Sequence, residues 1–328
     1  MENPQAIMTE IMSFMRSRVV LTAAELDLFT KIDEKPITAI ELAEMYKLNL
    51  KGLTRVLDCL ATFGFVRKEG DGYSNTEKGA FFSSRHPGTI LPMVLHFNKL
   101  WDTWGSLTEI VKGKRGRRFP VIKATDKKSR EAFIGAMHVI GRTLSSEIAG
   151  ALDISRFERL LDIGGASGTY TMAFLGKNPK MEAVLFDLKE IIPLARKRLK
   201  SEGFLNRVKF VAGDFYTDKL PEGCDLALLS AIIHQNSAEE NLELYKKIFM
   251  ALKPGGTLLI RDHIMDASRT NPPSGALFAI NMLVNTRGGD TYTFVEVEDT
   301  LKEAGFVDIR LIRTGEAMDC LIEAKKPV

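Results

Sequence analysis

The stretch Leu160-Leu161-Asp162-Ile163-Gly164-Gly165-Ala166-Ser167-Gly168 decides the fold. It is an apolar run that ends at an acid and passes into a turn of small residues, and a helical pattern follows over 169–175. A second apolar run, Ala183-Val184-Leu185-Phe186, ends in Asp187. A strand, a glycine turn, a helix and an acid at the tip of the next strand is how a doubly wound sheet holds an adenosine. The order points to a nucleotide-type cofactor and so to an enzyme.

Working outward toward the C-terminus, strand and helix patterns alternate from Phe157 onward, which argues a parallel sheet covered by helices on both faces. Strands are expected at 159–162, 183–187, 208–212, 226–230, 256–262, 308–313 and 318–324. The last two have no helix between them and should pair as an antiparallel hairpin at one edge. Lys253-Pro254-Gly255-Gly256 ends the helix before the fifth strand.

Toward the N-terminus the chain reads as helical. Positions 11–29 form an amphipathic run with Val19, Val20, Leu21, Ala24, Leu26 and Leu28 apolar. Thr38, with Glu41 three residues on, caps a helix over 39–46. A second helix over 50–63 leads to a hairpin, Phe65–Lys68 and Tyr73–Thr76, around Glu69-Gly70-Asp71-Gly72. Helix, turn, helix, hairpin is a winged-helix pattern. Its second helix offers only Lys51 and Arg55 as bases, which favours a packing or dimerisation module over a groove reader. Aromatic residues cluster over 97–110, the basic patch Lys112 to Arg118 reads as a surface loop, and 129–151 reads as a helix with Phe133, Ala136, Met137 and Ile140 on one face. The expected architecture is therefore α/β: a Rossmann-like doubly wound sheet with an antiparallel C-terminal hairpin over 153–328, after a mostly helical winged-helix domain over 1–152.

The 328 residues are 45% hydrophobic and 27% charged, an ordinary soluble balance. A net charge of +3 gives no argument for nucleic acid as a partner. Cys59, Cys224 and Cys320 are scattered, form neither a metal spacing nor a disulfide framework, and fit a reducing cytoplasm. The start lacks the basic-then-apolar order of a signal peptide, and no apolar run approaches the roughly 18 residues of a membrane span.

Acids close three expected strand–turn units: Asp162, Asp187 and Asp214. Ligands of open α/β sheets bind at these strand ends. Asp187 is placed for a ribose diol, and Gly164 and Gly168 allow close approach of the backbone. Asp214, in Ala212-Gly213-Asp214-Phe215, is placed for an adenine amine, with Phe215 against the ring. A nicotinamide or flavin dinucleotide is the rival. Such sites seat a pyrophosphate on the helix N-terminus, and Asp162 would repel it while suiting the amino group of a methionine moiety.

These residues together resemble a class I S-adenosylmethionine-dependent methyltransferase. More narrowly the chain is similar to small-molecule O-methyltransferases with an N-terminal winged-helix dimerisation domain, the group of the plant phenolic enzymes and acetylserotonin methyltransferase. The resemblance rests on the helical N-terminal half, Asp162-Ile163-Gly164-Gly165, Phe186-Asp187-Leu188, Gly213-Asp214-Phe215, Lys253-Pro254-Gly255-Gly256 and Gly288-Gly289-Asp290. It implies S-adenosyl-L-methionine as cofactor, a homodimer, and Gly165, Leu188, Gly213 and Ser230 among the cofactor contacts. No metal is expected, because the sequence has no cluster of His, Asp and Glu at ligand spacing beyond the acids already used.

Methyl transfer to oxygen needs a positioned acceptor and a base for its proton. The best base is His234, just after the fourth strand, where the family places its catalytic histidine. Asp262, at the end of the fifth strand, matches the family acid that orients it, although a capping role or pairing with Arg261 would use it as well. Two positions depart from the family: Gln235 stands where an acid often follows the histidine, and Thr291 where a second acid falls, with Asp290 beside it. An acceptor pocket is expected between the halves from Phe97, Trp101, Trp104, Phe133, Met137, His138, Phe278, Asn281 and Met282, which suit an apolar, aromatic acceptor with one or two polar anchors. Competing readings are C- or N-methylation or non-methylating chemistry on the same scaffold and, more distantly, a ligand-sensing DNA-binding regulator.

Overall fold

Asn3 opens the first helix of the computed structural model, its side chain accepting from the Gln5 amide, with Pro4 at a position that needs no N–H. The structure describes residues 3–32, 35–114 and 127–328. They fall into two units, Met1–Trp101 and Asp102–Val328.

In the first unit, α1 (Pro4–Glu25) is longer than the amphipathic run suggests and ends before Asp27, whose φ of 54° turns the chain into α2 (Leu28–Lys31). Then come β1 (Ile37–Thr38), α3 (Ala39–Tyr46), α4 (Leu50–Thr62), β2 (Val66–Glu69), β3 (Gly72–Asn75), α5 (Glu77–Ala80) and α6 (Leu91–Trp104), which runs across the division. The expected Thr38–Glu41 capping box is present. The hairpin gains β1 as a third strand, in the order β1-β3-β2. Phe29, Leu42, Leu57, Leu60 and Tyr73 close a core of their own. The first half of α1 leaves Ile7, Met8, Ile11, Met12, Phe14 and Met15 exposed.

The second unit holds α7 (Leu107–Val111), α8 (Lys127–Gly150), β4 (Arg159–Ile163), α9 (Thr169–Lys177), β5 (Glu182–Asp187), α10 (Ile192–Ser201), β6 (Val208–Ala212), β7 (Cys224–Ser230), α11 (Ala238–Ala251) and β8 (Leu252–Asp262). It closes with β9 (Ile264–Met265), α12 (Pro273–Asn285), β10 (Tyr292–Thr293), α13 (Phe294–Glu303), β11 (Val307–Arg313) and β12 (Cys320–Lys325). Of the basic patch, Lys112 to Lys114 follow α7, while 115–118 lie outside the described residues, as does the side chain of Ile140. Lys253 to Gly256 already belong to β8 rather than ending a helix.

The boundary differs from the one expected near Asp153. Ile148 and Ala149 of α8 are buried with Leu160, Phe174 and Leu175 of β4 and α9, so α8 belongs to the sheet unit. Helical periodicity cannot tell which neighbour a helix packs on.

The main sheet runs β11-β12-β8-β7-β4-β5-β6. The five strands from β8 to β6 pair in parallel, and β12 and β11 add antiparallel at the edge, as expected. Leu160, Leu161, Leu226, Leu228 and Leu229 are fully buried, as strands covered on both faces require. The chain winds from β4 out to β6, then returns to β7 and β8 on the other side. The sheet therefore reverses direction between β4 and β7, where such sheets bind ligands.

Candidate active site

At this reversal β4 gives way to a turn that only small residues can follow. Gly164 has φ +70°, and a side chain there would put Cβ 2.9 Å from Ile232 Cδ1; Gly168 has φ +76°, with Leu199 Cδ1 only 2.4 Å from a built Cβ. Both Asp187 oxygens face the turn: Oδ2 accepts from the Ala166 amide and Oδ1 from the Leu188 amide, each at 2.7 Å. Each carboxylate oxygen has a further lone pair, enough for two ribose hydroxyls. Burial pushes the Asp187 carboxyl up to about 6. Phe215 Cε1 lies 3.7 Å from where a Gly164 Cβ would stand, and its ring packs on Tyr216 at 4.6 Å.

The other expected cofactor residues are placed as follows. Asp162 is buried and accepts from the Thr171 hydroxyl at 2.5 Å, so Thr171 joins the acid to the first turn of α9. Burial pushes Asp162 up to about 6, with the Thr171 bond opposing and the Asp187 charge adding. Gly165 has Leu185 and Asp162 where a Cβ would stand, and Gly213 packs on the Phe186 ring. Asp214 accepts from the Tyr216 amide at 3.0 Å. Ser230 accepts from Arg261 Nε at 2.7 Å, so Arg261 hydrogen-bonds Ser230 and acts on Asp262 through its charge.

His234 sits in the short turn Ile233–Gln235 after β7, and Asp262 closes β8. His234 Nδ1 lies 2.9 Å from both Asp262 oxygens. Asp262 is fully buried, and one of its oxygens also accepts from the His263 amide at 2.8 Å. Burial acts to raise the Asp262 carboxyl, but the His234 imidazole, Arg261 and these hydrogen bonds outweigh it and hold it below the usual range. With Nδ1–H given to Asp262, the lone pair of neutral His234 is on Nε2.

The histidine turn is braced from other elements. Asn241 Nδ2 donates to the Ile233 carbonyl at 2.9 Å, and the Tyr292 hydroxyl to the Asn236 carbonyl at 2.5 Å. Gly289 fits directly behind the turn, where a Cβ would stand 2.4 Å from the His234 carbonyl oxygen. Of the two departures noted above, Thr291 donates to the Gly275 carbonyl at 3.3 Å, and its neighbour Asp290 pairs with Arg269 at 3.1 Å.

Phe278 of α12 meets His234 edge-on, with ring centroids 4.9 Å apart and an interplanar angle of 87°. Its neighbour His263 packs on the same ring at 5.0 Å. Farther along α12, Asn281 Oδ1 accepts from Trp104 Nε1 at 2.9 Å, and Met282 is buried. The structure thus links His234, Asp262 and Phe278 by contact, and Trp104 and Asn281 to each other. Phe133 and Met137 lie half-buried on α8. Phe97 and Trp101 belong to the first unit, at 53% and 36% exposure. His138 is placed against the cofactor turn: its Nδ1 is 2.9 Å from Thr169 Oγ1, and Thr169 is 2.7 Å from Ser167 Oγ. Burial brings His138 down to about 4, so it is neutral there.

Sequence reasoning missed Thr171, Tyr292 and His263. Nothing local marks the first two. His263 had a signal: an imidazole one step beyond the acid that ends an apolar strand.

A reversed parallel sheet with a glycine turn, an acid that accepts from the turn's amides and an imidazole–carboxylate pair on the neighbouring strand ends fits a Rossmann-like methyltransferase. The chain belongs to the O-methyltransferase family: the family profile described as an O-methyltransferase domain matches residues 107–307, and the O-methyltransferase dimerisation domain matches residues 8–85. It is similar to the tetracenomycin polyketide synthesis 8-O-methyl transferase of Streptomyces glaucescens, at 32% identity over 99% of this chain and 97% of that one. It is similar to the acetylserotonin O-methyltransferase of Gallus gallus at 26% identity over 99% and 98% of the two chains. In fold it is similar to human N-acetylserotonin methyltransferase solved in complex with S-adenosylmethionine, with a TM-score of 0.85 and 24% identity over 100% and 99% of the chains.

Proposed function

We propose that this O-methyltransferase transfers the methyl group of S-adenosylmethionine to a hydroxyl of a small, mostly apolar or aromatic molecule, with His234 as general base and Asp262 as its orienting acid. The observation that carries the reading is the His234 Nδ1 held 2.9 Å from both oxygens of a buried carboxylate. That grip leaves Nε2 to receive a proton.

The strand ends fit the methyl donor. Asp187 has acceptor capacity for the ribose diol, Gly164 carries no side chain to crowd the turn, and Phe215 offers a ring beside it. Leu188, Gly213, Asp214 and Ser230 complete the same edge, and Asp162 steadies the turn through Thr171. The bound sulfonium supplies an electrophilic methyl carbon. His234 Nε2 takes the hydroxyl proton as the acceptor oxygen attacks, and Asp262 stabilises the resulting imidazolium. Phe278, edge-on to His234, puts an apolar ring against the imidazole.

Homodimerisation through the N-terminal unit is supported by the match to the dimerisation domain and by the exposed apolar residues of α1. Free Cys59, Cys224 and Cys320 fit a cytoplasmic location. Among the described residues no helix is long and apolar enough to cross a membrane. Gln235 and Thr291 support a second reading, transfer to nitrogen or carbon, which needs a weaker base or none.

Incubation with methyl-labelled S-adenosylmethionine and a fractionated small-molecule extract tests the proposal. Label is expected in a small product bearing a new methyl ether. Label found only as an N- or C-methyl product would overturn transfer to oxygen.

A further inference from the structure

His263 takes no part in the reaction above, yet it packs on the ring that packs on the base. It is 6% exposed, and its Nδ1 is shut away from solvent with no hydrogen-bond partner among the described residues. A proton on that nitrogen would be an unpaired buried donor, the rarer and costlier kind of orphan. The proton therefore belongs on Nε2, and the ring's remaining polar group is an N–H donor. Burial keeps the imidazole neutral.

Asn281 shares a face of α12 with Phe278, three residues on. The Trp104 indole can only donate, so the Asn281 atom facing it is Oδ1, whichever way the amide is drawn. The same oxygen accepts from Asn285 Nδ2 at 2.9 Å, which fills its second lone pair. Asn281 Nδ2 has no partner among the described residues. Around Phe278 the protein thus offers one base, His234, and two neutral donors, His263 and Asn281.

On the methyl-transfer reading, we propose that the acceptor is a hydroxy-carbonyl aromatic. It carries one hydroxyl for His234 and, beside it, a ketone, quinone or carboxylate oxygen that accepts from His263 Nε2–H and Asn281 Nδ2–H. A hydroxyl in that place could also accept, but it would bring an O–H for which neither donor offers an acceptor, so an oxygen that only accepts is the better match.

The test is calorimetric binding to the full chain with S-adenosylhomocysteine present, using an ortho-acetyl naphthol and the ortho-ethyl naphthol of the same skeleton. The acetyl probe is expected to bind about tenfold more tightly, the size of one neutral hydrogen bond. In His263→Phe the preference should shrink to about twofold. Asn281→Asp keeps an acceptor for Trp104 and replaces the free donor with an acceptor, so it should abolish or invert the preference. Equal binding of the two probes to wild type, or a preference surviving both substitutions, would overturn the proposal. Methyl transfer is read separately with labelled donor: an intact binding preference without label transfer would support the recognition pattern and count against the reaction.

Discussion

Two ends of one sheet edge treat buried carboxylates in opposite ways. At the end of β8, Asp262 is wholly buried and held below the usual carboxylate range, because an imidazole and an amide N–H face it. At the ends of β4 and β5, buried Asp162 and half-buried Asp187 are pushed up to about 6, chiefly by burial. Asp262 has its partner within the chain. Asp187 has only two backbone amides, and its remaining acceptor capacity is left for donors from outside. On the proposed reading, one end organises a base and the other waits for a ligand.

The comparison breaks first at Asp262. Asp262→Asn removes the charge that fixes the His234 tautomer, and kcat is expected to fall about a hundredfold or more with S-adenosylhomocysteine affinity within about twofold. Steady-state kinetics beside calorimetry checks it; equal losses in both would make Asp262 a folding residue. On the other side, Gly164→Val forces a branched side chain into φ +70° and against Ile232. Donor-product affinity is expected to fall about ten- to a hundredfold, read by calorimetry.

The ligand end also has its own pH signature. On the proposed reading ribose hydroxyls donate to the ionised Asp187, so binding should be full above a carboxyl value of about 6 and be lost as pH falls through it. S-adenosylhomocysteine affinity is expected to drop about tenfold between about pH 7 and about pH 5, and Asp187→Asn should flatten the slope. A slope unchanged in that variant would move the titration to another group. The smallest effect is expected from Tyr292→Phe, which frees the Asn236 carbonyl behind the histidine turn. A loss of about 1 kcal/mol in unfolding free energy and a kcat drop of about two- to fivefold should appear in denaturant melts and initial rates.

The ligand end was more legible in sequence than the catalytic end, for a physical reason. The β4 turn, its glycines and Asp187 lie within one strand–helix–strand unit, so local pattern places them. The Thr38–Glu41 box and the antiparallel β11–β12 edge were legible on the same ground. The His234–Asp262 pair joins two strand ends, and family resemblance supplied it where spacing left Asp262 open to other roles. The brace from Tyr292 and Asn241, and the place of His263 on Phe278, depend on packing between distant segments. Periodicity carries no record of those contacts, nor of the unit to which α8 belongs.

The most direct test of His234 as general base is the pH dependence of methyl transfer to a simple naphthol, wild type beside His234→Asn, with donor-product affinity measured in both. The expected result is a loss of about a hundred- to ten-thousand-fold near neutral pH at unchanged affinity, recovering as pH approaches the point where the naphthol ionises in solution. Transfer by His234→Asn at the wild-type rate near neutral pH would contradict it.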